Sequence, residues 1–255
     1  MTRGQIRVFA LIRREVNRFM KIKRQTIGAP LLETFLYVSI FGAALGSRIH
    51  HLHGFRYIVF VIPGLVMMAW AINAFSNNAS SILQQKVQRA IDDQLSSPAS
   101  PWELLLGFSL GGFLRGAIVA TITWAVATAL VGLPLAEPLI LLPSLLLIGM
   151  FFAQAGVWVG ARAEQFDDVA VYQQFVMQPL IFLGGVFYSA SLLPQPFATL
   201  TRVDPVYYMI ALTRYGFLGY RESSIAVSFV ALALLTAAIT VANLRMFDRG
   251  SRLRL

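Results

Sequence analysis

Apolar residues fill this chain in blocks of about 20, the length a helix needs to cross roughly 30 Å of hydrocarbon at about 1.5 Å per residue. Six blocks qualify, at residues 27–45, 57–75, 104–130, 139–159, 169–187 and 225–244. They predict an all-α integral membrane protein, a single transmembrane domain over residues 1–255 with six spans. An even count puts both termini on one side.

Ahead of the first block, Ile6, Phe9, Ala10, Arg13, Val16, Asn17 and Met20 recur at helical spacing, flanked by Arg7, Arg14, Arg18 and Lys21. The pattern predicts an amphipathic interfacial helix within residues 1–25. It serves either as a membrane-surface anchor or as a grip on a cytoplasmic partner. Residues 1–25 lack the unbroken apolar core and small-residue cleavage site of a signal peptide, so the segment is expected to be retained.

Two interruptions differ in kind. Residues 188–221 are too apolar for a solvated loop, yet Pro194, Pro196 and Pro205 break them. Short helices over 197–202 and 206–217, dipping into the outer leaflet as a re-entrant hairpin, are the natural reading, because such backbone survives at membrane depth only against protein or a wet cavity. Residues 84–101 are polar, with Lys86, Arg89, Asp92, Asp93 and Gln94 ahead of Ser96-Ser97-Pro98. They predict a short surface helix, either a solvated connector or a docking element. A second polar turn, 162–168, is shorter and acidic.

Composition agrees with lipid as the solvent, since 13% charged residues is far below the roughly 25% of soluble domains. A net charge of +9 would matter for nucleic acid only on one folded face. Here eight of the 21 Lys and Arg lie between Arg3 and Arg24, and Arg245, Arg249, Arg252 and Arg254 close the chain. With Lys86, Arg89 and Arg162 this makes fifteen positive residues on the side of the termini, against five opposite, Arg48, Arg56, Arg202, Arg214 and Arg221. By the positive-inside rule both termini are cytoplasmic. Nucleic acid is not an expected partner.

Several chemistries are excluded by counting. There is no cysteine, and none of the three lysines, Lys21, Lys23 and Lys86, follows a glycine, so no phosphate-binding loop of the Walker type exists. No cofactor or metal is expected on this chain. Gly107-Phe108-Ser109-Leu110-Gly111 matches the serine-hydrolase elbow in letters, but it falls inside an apolar helix, across the bilayer from His50, His51 and His53. Its glycines read as close helix packing. The three histidines have no carboxylate or thiolate beside them and read as a hydrated loop. Arg115, well inside the third block, is either a functional intramembrane charge or one that snorkels to the headgroups or pairs with Glu33.

Several landmarks in order resemble the permease subunits of ABC-2 type transporters, including those that export polysaccharides, lipo-oligosaccharides and drugs. They are the amphipathic N-terminal helix, the Gly64 region, Gln88-Arg89-Ala90-Ile91-Asp92-Asp93-Gln94-Leu95-Ser96-Ser97-Pro98, Phe166-Asp167-Asp168, Gly184-Gly185-Val186-Phe187-Tyr188-Ser189, Leu192-Leu193-Pro194, Asp204-Pro205-Val206-Tyr207-Tyr208 and Arg214-Tyr215-Gly216. The family often has asparagine where Asp204 stands, so that position does not choose a subfamily.

The resemblance implies an inner-membrane homodimer bound to two copies of a separate ATPase, which carries the ATP and Mg. It makes this chain a transport component and not an enzyme. Gln88, Arg89, Asp92, Asp93, Gln94, Leu95 and Pro98 become the ATPase-coupling interface, and Arg115, Tyr188, Tyr207, Tyr208 and Arg214 candidates for the substrate path or its gating. Aromatics near the outer ends, among them Tyr57, Phe187 and Tyr215, form either a stacking surface for a substrate or the ordinary interfacial belt. The alternatives are a drug efflux permease or an ion-coupled secondary transporter; the latter finds few acidic residues in the spans beyond Glu33.

Overall fold

The computed structural model describes residues 2–44 and 51–249, so Leu45, Arg48, His50, Arg252 and Arg254 lie outside the described residues. Helix accounts for 83% of the described residues. Eleven α-helices are described: α1 (Arg3–Lys21), α2 (Ala29–Ala44), α3 (Tyr57–Val87), α4 (Ala90–Leu95), α5 (Pro101–Val131), α6 (Pro138–Arg162), α7 (Phe166–Tyr172), α8 (Gln178–Leu183), α9 (Phe197–Val203), α10 (Pro205–Leu218) and α11 (Ile225–Arg249). The all-α expectation needs one small correction. A β-hairpin pairs His51–Leu52 with Phe55–Arg56, its turn made by His53 and Gly54 at φ 51° and 86°, the left-handed pair that a two-residue hairpin requires.

Helix boundaries follow local chemistry. Thr2 with Gln5 and Ser100 with Glu103 form capping boxes at the starts of α1 and α5, and Pro101 and Pro205 occupy first-turn positions where no N–H is needed. Gly132 and Gly219 end α5 and α10 in the left-handed conformation.

Four helices, α3, α5, α6 and α11, are each long and apolar enough to cross a membrane. The two other expected crossings are interrupted by π turns. One, Arg24–Gly28, leads into α2; the other, Gln173–Met177, joins α7 to α8. A wide turn of this kind admits one extra residue and bends the axis.

The second block runs on beyond residue 75, to Val87, as one helix. Its polar turns are packed against neighbouring helices: Asn77, Asn78, Ser81, Gln85 and Lys86 are all buried.

α3 is the central helix. Parallel to it runs α6, whose Gly156 and Gly160 lie so near the α3 backbone that a Cβ would stand 2.3 Å from Phe75 O and 2.6 Å from Ala79 O. On α5, Gly112 and Gly116 admit Asn78 and Trp70 of α3 in the same way. This is the small-residue packing that brings helices together in a membrane, where burial of apolar surface supplies little drive.

α1 is shared between two surroundings. Leu11, Glu15 and Phe19 face the bundle, while Ile6, Phe9, Ala10, Arg13, Asn17 and Met20 of the expected stripe are exposed. The protein contact therefore uses a second face that the stripe did not identify.

Candidate functional site

At the end of the bundle that carries α1 and the last turn of α11, α4 forms a short bracket between α3 and α5. Arg89 makes the corner at φ 56°, uncommon for a residue with a side chain. Asp92 and Asp93 occupy the first turn of α4, favourable at a helix N-terminus.

Ile91 is 1% exposed, in an apolar cluster with Ile82 of α3, Leu104, Leu105 and Phe108 of α5, and Phe247 of α11. Gln94 Nε2 donates to Gln85 Oε1. Arg7 Nη1 donates to Pro98 O at 2.6 Å and pairs with Glu103 at 3.2 Å, so α1 braces the far side of the bracket.

Of the seven expected coupling residues, Gln88, Arg89, Asp93 and Pro98 are exposed, and Asp92, Gln94 and Leu95 are half-buried. Of the seven, Leu95 packs against the cluster that holds Ile91. Ile91 escaped a reading concerned with polar side chains, although its spacing of four from Leu95 was there to mark an apolar face.

Next to the bracket, Lys86 Nζ donates to Ala161 O and Ala163 O, each at 2.8 Å. The following turn is held by Asp168, whose Oδ2 accepts from the N–H groups of Glu164 at 2.8 Å and Gln165 at 3.0 Å. Those two bonds, and then Lys86, hold the Asp168 carboxyl below the ordinary carboxylate range. Phe166 is exposed beside it.

Glu15 is the buried counter-charge under α1. Its carboxylate pairs with Arg14 at 3.2 Å and Arg18 at 3.1 Å and accepts from Ser81 Oγ at 2.8 Å. Arg18 Nη2 also donates to Asn77 O and Oδ1, at 2.7 and 2.8 Å.

Arg115 is 7% exposed, and its Nε has no partner among the described residues. It does not pair with Glu33, which lines a separate small cavity with Tyr37, Asn73 and Thr123. Between α1 and the end of α3 opens a groove of about 890 Å³, with Ile6 and Phe9 beside Arg13, Arg14, Arg18 and Lys21.

The Gly-x-Ser-x-Gly letters resolve into helix contact. A Cβ on Gly107 would meet Leu11 at 2.6 Å and one on Gly111 would meet Glu15 at 2.6 Å, and Ser109 is wholly buried in α5. The described histidines, His51 and His53, are at the opposite end of the bundle. No group of three metal-ligating side chains occurs among the described residues. His53 Nε2 lies 3.2 Å from Ser191 Oγ, and its ring stacks on Tyr220.

At that opposite end Arg214 is fully enclosed. Its Nη1 donates to Glu222 Oε2 at 2.6 Å, its Nη2 to Gly185 O at 2.5 Å and Val186 O at 3.1 Å, and its guanidinium lies 4.1 Å from the centre of the Phe60 ring. Glu222 Oε1 accepts from Ser189 Oγ and the Ala190 N–H. Tyr207 donates to Glu222 O, Tyr188 to Leu183 O and Tyr208 to Arg202 O. The structure thus brings Arg214 and Tyr207 to Glu222, which was not foreseen, and leaves Tyr188 and Tyr208 on other partners.

An α-helical bundle with four membrane-length helices, a bracket helix at one end and a proline-broken helical segment at the other defines an α-helical polytopic membrane protein. The family model described as ABC-2 type transporter matches residues 6–218, and the chain belongs to that family. It is 37% identical to the inner membrane transport permease YadH of Escherichia coli (strain K12) over 94% of each chain. It is also 26% identical to nodulation protein J of Rhizobium meliloti (strain 1021), over 82% of this chain and 80% of that one, and 27% identical to nodulation protein J of Rhizobium leguminosarum bv. trifolii, over 85% and 83%.

Proposed function

We propose that this chain is the membrane-spanning permease subunit of an ABC exporter, a single six-span domain of which two copies form the path for an amphipathic or lipid-linked substrate. ATP and Mg are bound by separate ATPase subunits, two per complex, and the permease itself catalyses nothing. The observation that carries the reading is the α4 bracket. Its exposed edge, Gln88, Arg89 and Asp93, is available to a partner, while Ile91 is fixed among α3, α5 and α11.

The π turn with α2, and α7 with α8, complete six crossings, and α9 with α10 forms the re-entrant hairpin. At 14 residues, α10 reaches about 21 Å, too short to cross. Both termini face the cytoplasm with α4, in agreement with the charge bias, and the inner membrane is the location named for the Escherichia coli relative. The groove beside α1 pairs apolar with cationic side chains, which suits an amphipathic anionic substrate.

ATP-driven closure of the partner pushes on α4 and shifts the helices between two packings. Nucleotide drives this only through its differential affinity for the two states. The test is co-purification with a candidate ATPase, comparing the unsubstituted chain with Asp93→Arg and with Asp92→Arg plus Asp93→Arg, and reading ATPase activity in lipid nanodiscs. A complex formed by the unsubstituted chain and lost in the exposed single variant, which still inserts, is the expected result. Equal binding by all three would remove α4 as the docking element.

A further inference from the structure

Lys86 has a setting that docking alone does not require. It is 3% exposed at the end of α3, and it is the only lysine in the chain outside the α1 segment. Its two acceptors sit at the end of a different helix. Ala161 belongs to the last turn of α6 and Ala163 is its C-cap, where carbonyls have no intrahelical N–H to accept. A cation at a helix C-terminus is further favoured by the macrodipole. The carboxylates of Glu164 and Asp168, on the next turn, are near enough to act on the ammonium.

The other side of Lys86 leads to α4. Gln85, its neighbour in sequence, accepts from Gln94 of α4, and Ile82, one turn back, packs on Ile91. A continuous set of contacts therefore runs from α4 through the last turn of α3 and the Lys86 ammonium to the end of α6 and the start of α7.

We infer that Lys86 is a positioning residue for energy coupling: its ammonium bonds to Ala161 O and Ala163 O make the end of α6 move as one body with the bracket helix. The inference rests on the permease reading. Displacement of α4 by a partner then reaches α6 and, through the Asp168 turn, α7, instead of being absorbed at the α3–α6 contact. Without the ammonium the carbonyl ends lose their cap, and that contact can slide.

The absence of cysteine makes a direct test clean. Val87→Cys at the end of α3 and Asp167→Cys at the start of α7, both at exposed positions, are introduced together and treated with a short bifunctional thiol reagent in the complex with the ATPase, nucleotide-free and after trapping with ATP and vanadate. Within-chain and between-chain products separate by size. With Lys86 present, the within-chain rates in the two states agree within about twofold; in Lys86→Met they differ by about fivefold or more, the low end of coupling between linked sites. Lys86→Arg, which keeps cationic donors, restores the agreement.

State-dependent rates with Lys86 present, or state-independent rates in Lys86→Met, overturn the inference. Should Lys86→Met fail to assemble, the first of these measurements still decides. If the unsubstituted chain binds no ATPase at all, the permease reading itself falls and takes this inference with it.

Discussion

Arg214 Nη1 stands 2.6 Å from Glu222 Oε2, with the two side chains 1% and 5% exposed. The pair is closed off by Phe60 beneath the guanidinium and by the Gly185 and Val186 carbonyls beside it. Glu222 meanwhile holds Ser189 and Ala190. One ion pair thereby joins α10, the segment after α8 and the turn that precedes α11. Removing one member leaves the other charged, buried and alone, which costs about 3–5 kcal/mol. Glu222→Ala and Arg214→Ala are each expected to lower the unfolding midpoint in detergent sharply. Arg214→Met combined with Glu222→Leu should cost less than the two losses added, and strict additivity would mean that the pair is not coupled.

The contact of α1 with α5 is set by Gly107 and Gly111, each facing an α1 side chain with no room for a Cβ. Gly111→Val is expected to push α1 off the bundle and strand Glu15 away from Ser81. Limited proteolysis should then cleave between α1 and α2 faster than in the unsubstituted chain. Ser109→Ala, in contrast, removes a hydroxyl that has no partner among the described residues, and leaves the protein unchanged in stability and in any partner-stimulated ATP hydrolysis.

Ile91 and Asp93 occupy opposite sides of the same short helix, one buried and one exposed. Ile91→Ala opens a cavity in a packed cluster, a change that costs about 2–5 kcal/mol. The expected consequence is a weaker response of ATP hydrolysis to the permease with partner binding retained, whereas Asp93→Arg weakens binding itself. Titration of the ATPase against each variant separates the two effects. Identical binding curves and identical activities would show that α4 carries no load.

How far these features are legible in the sequence differs from one to the next. Four of the six apolar blocks fall on the four membrane-length helices, and Pro194, Pro196 and Pro205 mark the broken segment, because length and breakers act locally. The extension of α3 to Val87 was not legible: Asn77, Asn78, Ser81 and Gln85 look like a solvated end until α1 is folded over them. The π turns at Arg24–Gly28 and Gln173–Met177 carry no composition signal. Glu15 and Glu222 were passed over for a related reason. Their cations are close in sequence, Arg14 and Arg18 within three positions of Glu15 and Arg214 eight from Glu222; what the sequence does not show is that both carboxylates are buried, which depends on distant groups such as Asn77, 59 positions from Arg18.

Asp168 gives a pH dependence whose sign follows from its bonds. The carboxylate accepts from the Glu164 and Gln165 amides, so its pKa is depressed in the folded turn. A depressed carboxyl adds stability that is fully present above the ordinary carboxylate range and is lost as pH falls through the lowered value. The turn after α6 should accordingly be fully held at neutral pH and loosen in acid. Amide-exchange protection of Glu164 and Gln165, corrected for intrinsic rates, is the measurement. In Asp168→Asn protection is expected to be lower at neutral pH and to show no further loss from this group in acid; unchanged protection would mean that the backbone holds the turn unaided.

Arg115 presents the opposite balance. Glu15, the nearby buried carboxylate, is already engaged by Arg14 and Arg18, and the Arg18 guanidinium is close enough to repel Arg115. Among the described residues no carboxylate pairs with Arg115, which is buried, and a buried charge without a counter-ion costs several kcal/mol. Met has similar length and no charge, so Arg115→Met is expected to stabilise the protein, by about 1–4 kcal/mol if it behaves like other replacements of buried ionic groups by apolar ones. Arg115→Lys keeps the charge and should bring no such gain. A residue kept at a cost in stability is characteristic of a working site, so the stabilised Arg115→Met variant should also respond less to ATP when assembled with the ATPase. Denaturation midpoints and ATPase rates from the same preparations read both effects. A Met variant that is less stable than the parent would show that Arg115 contributes through its packing and hydrogen bonds, and would remove the charge as the reason for its presence.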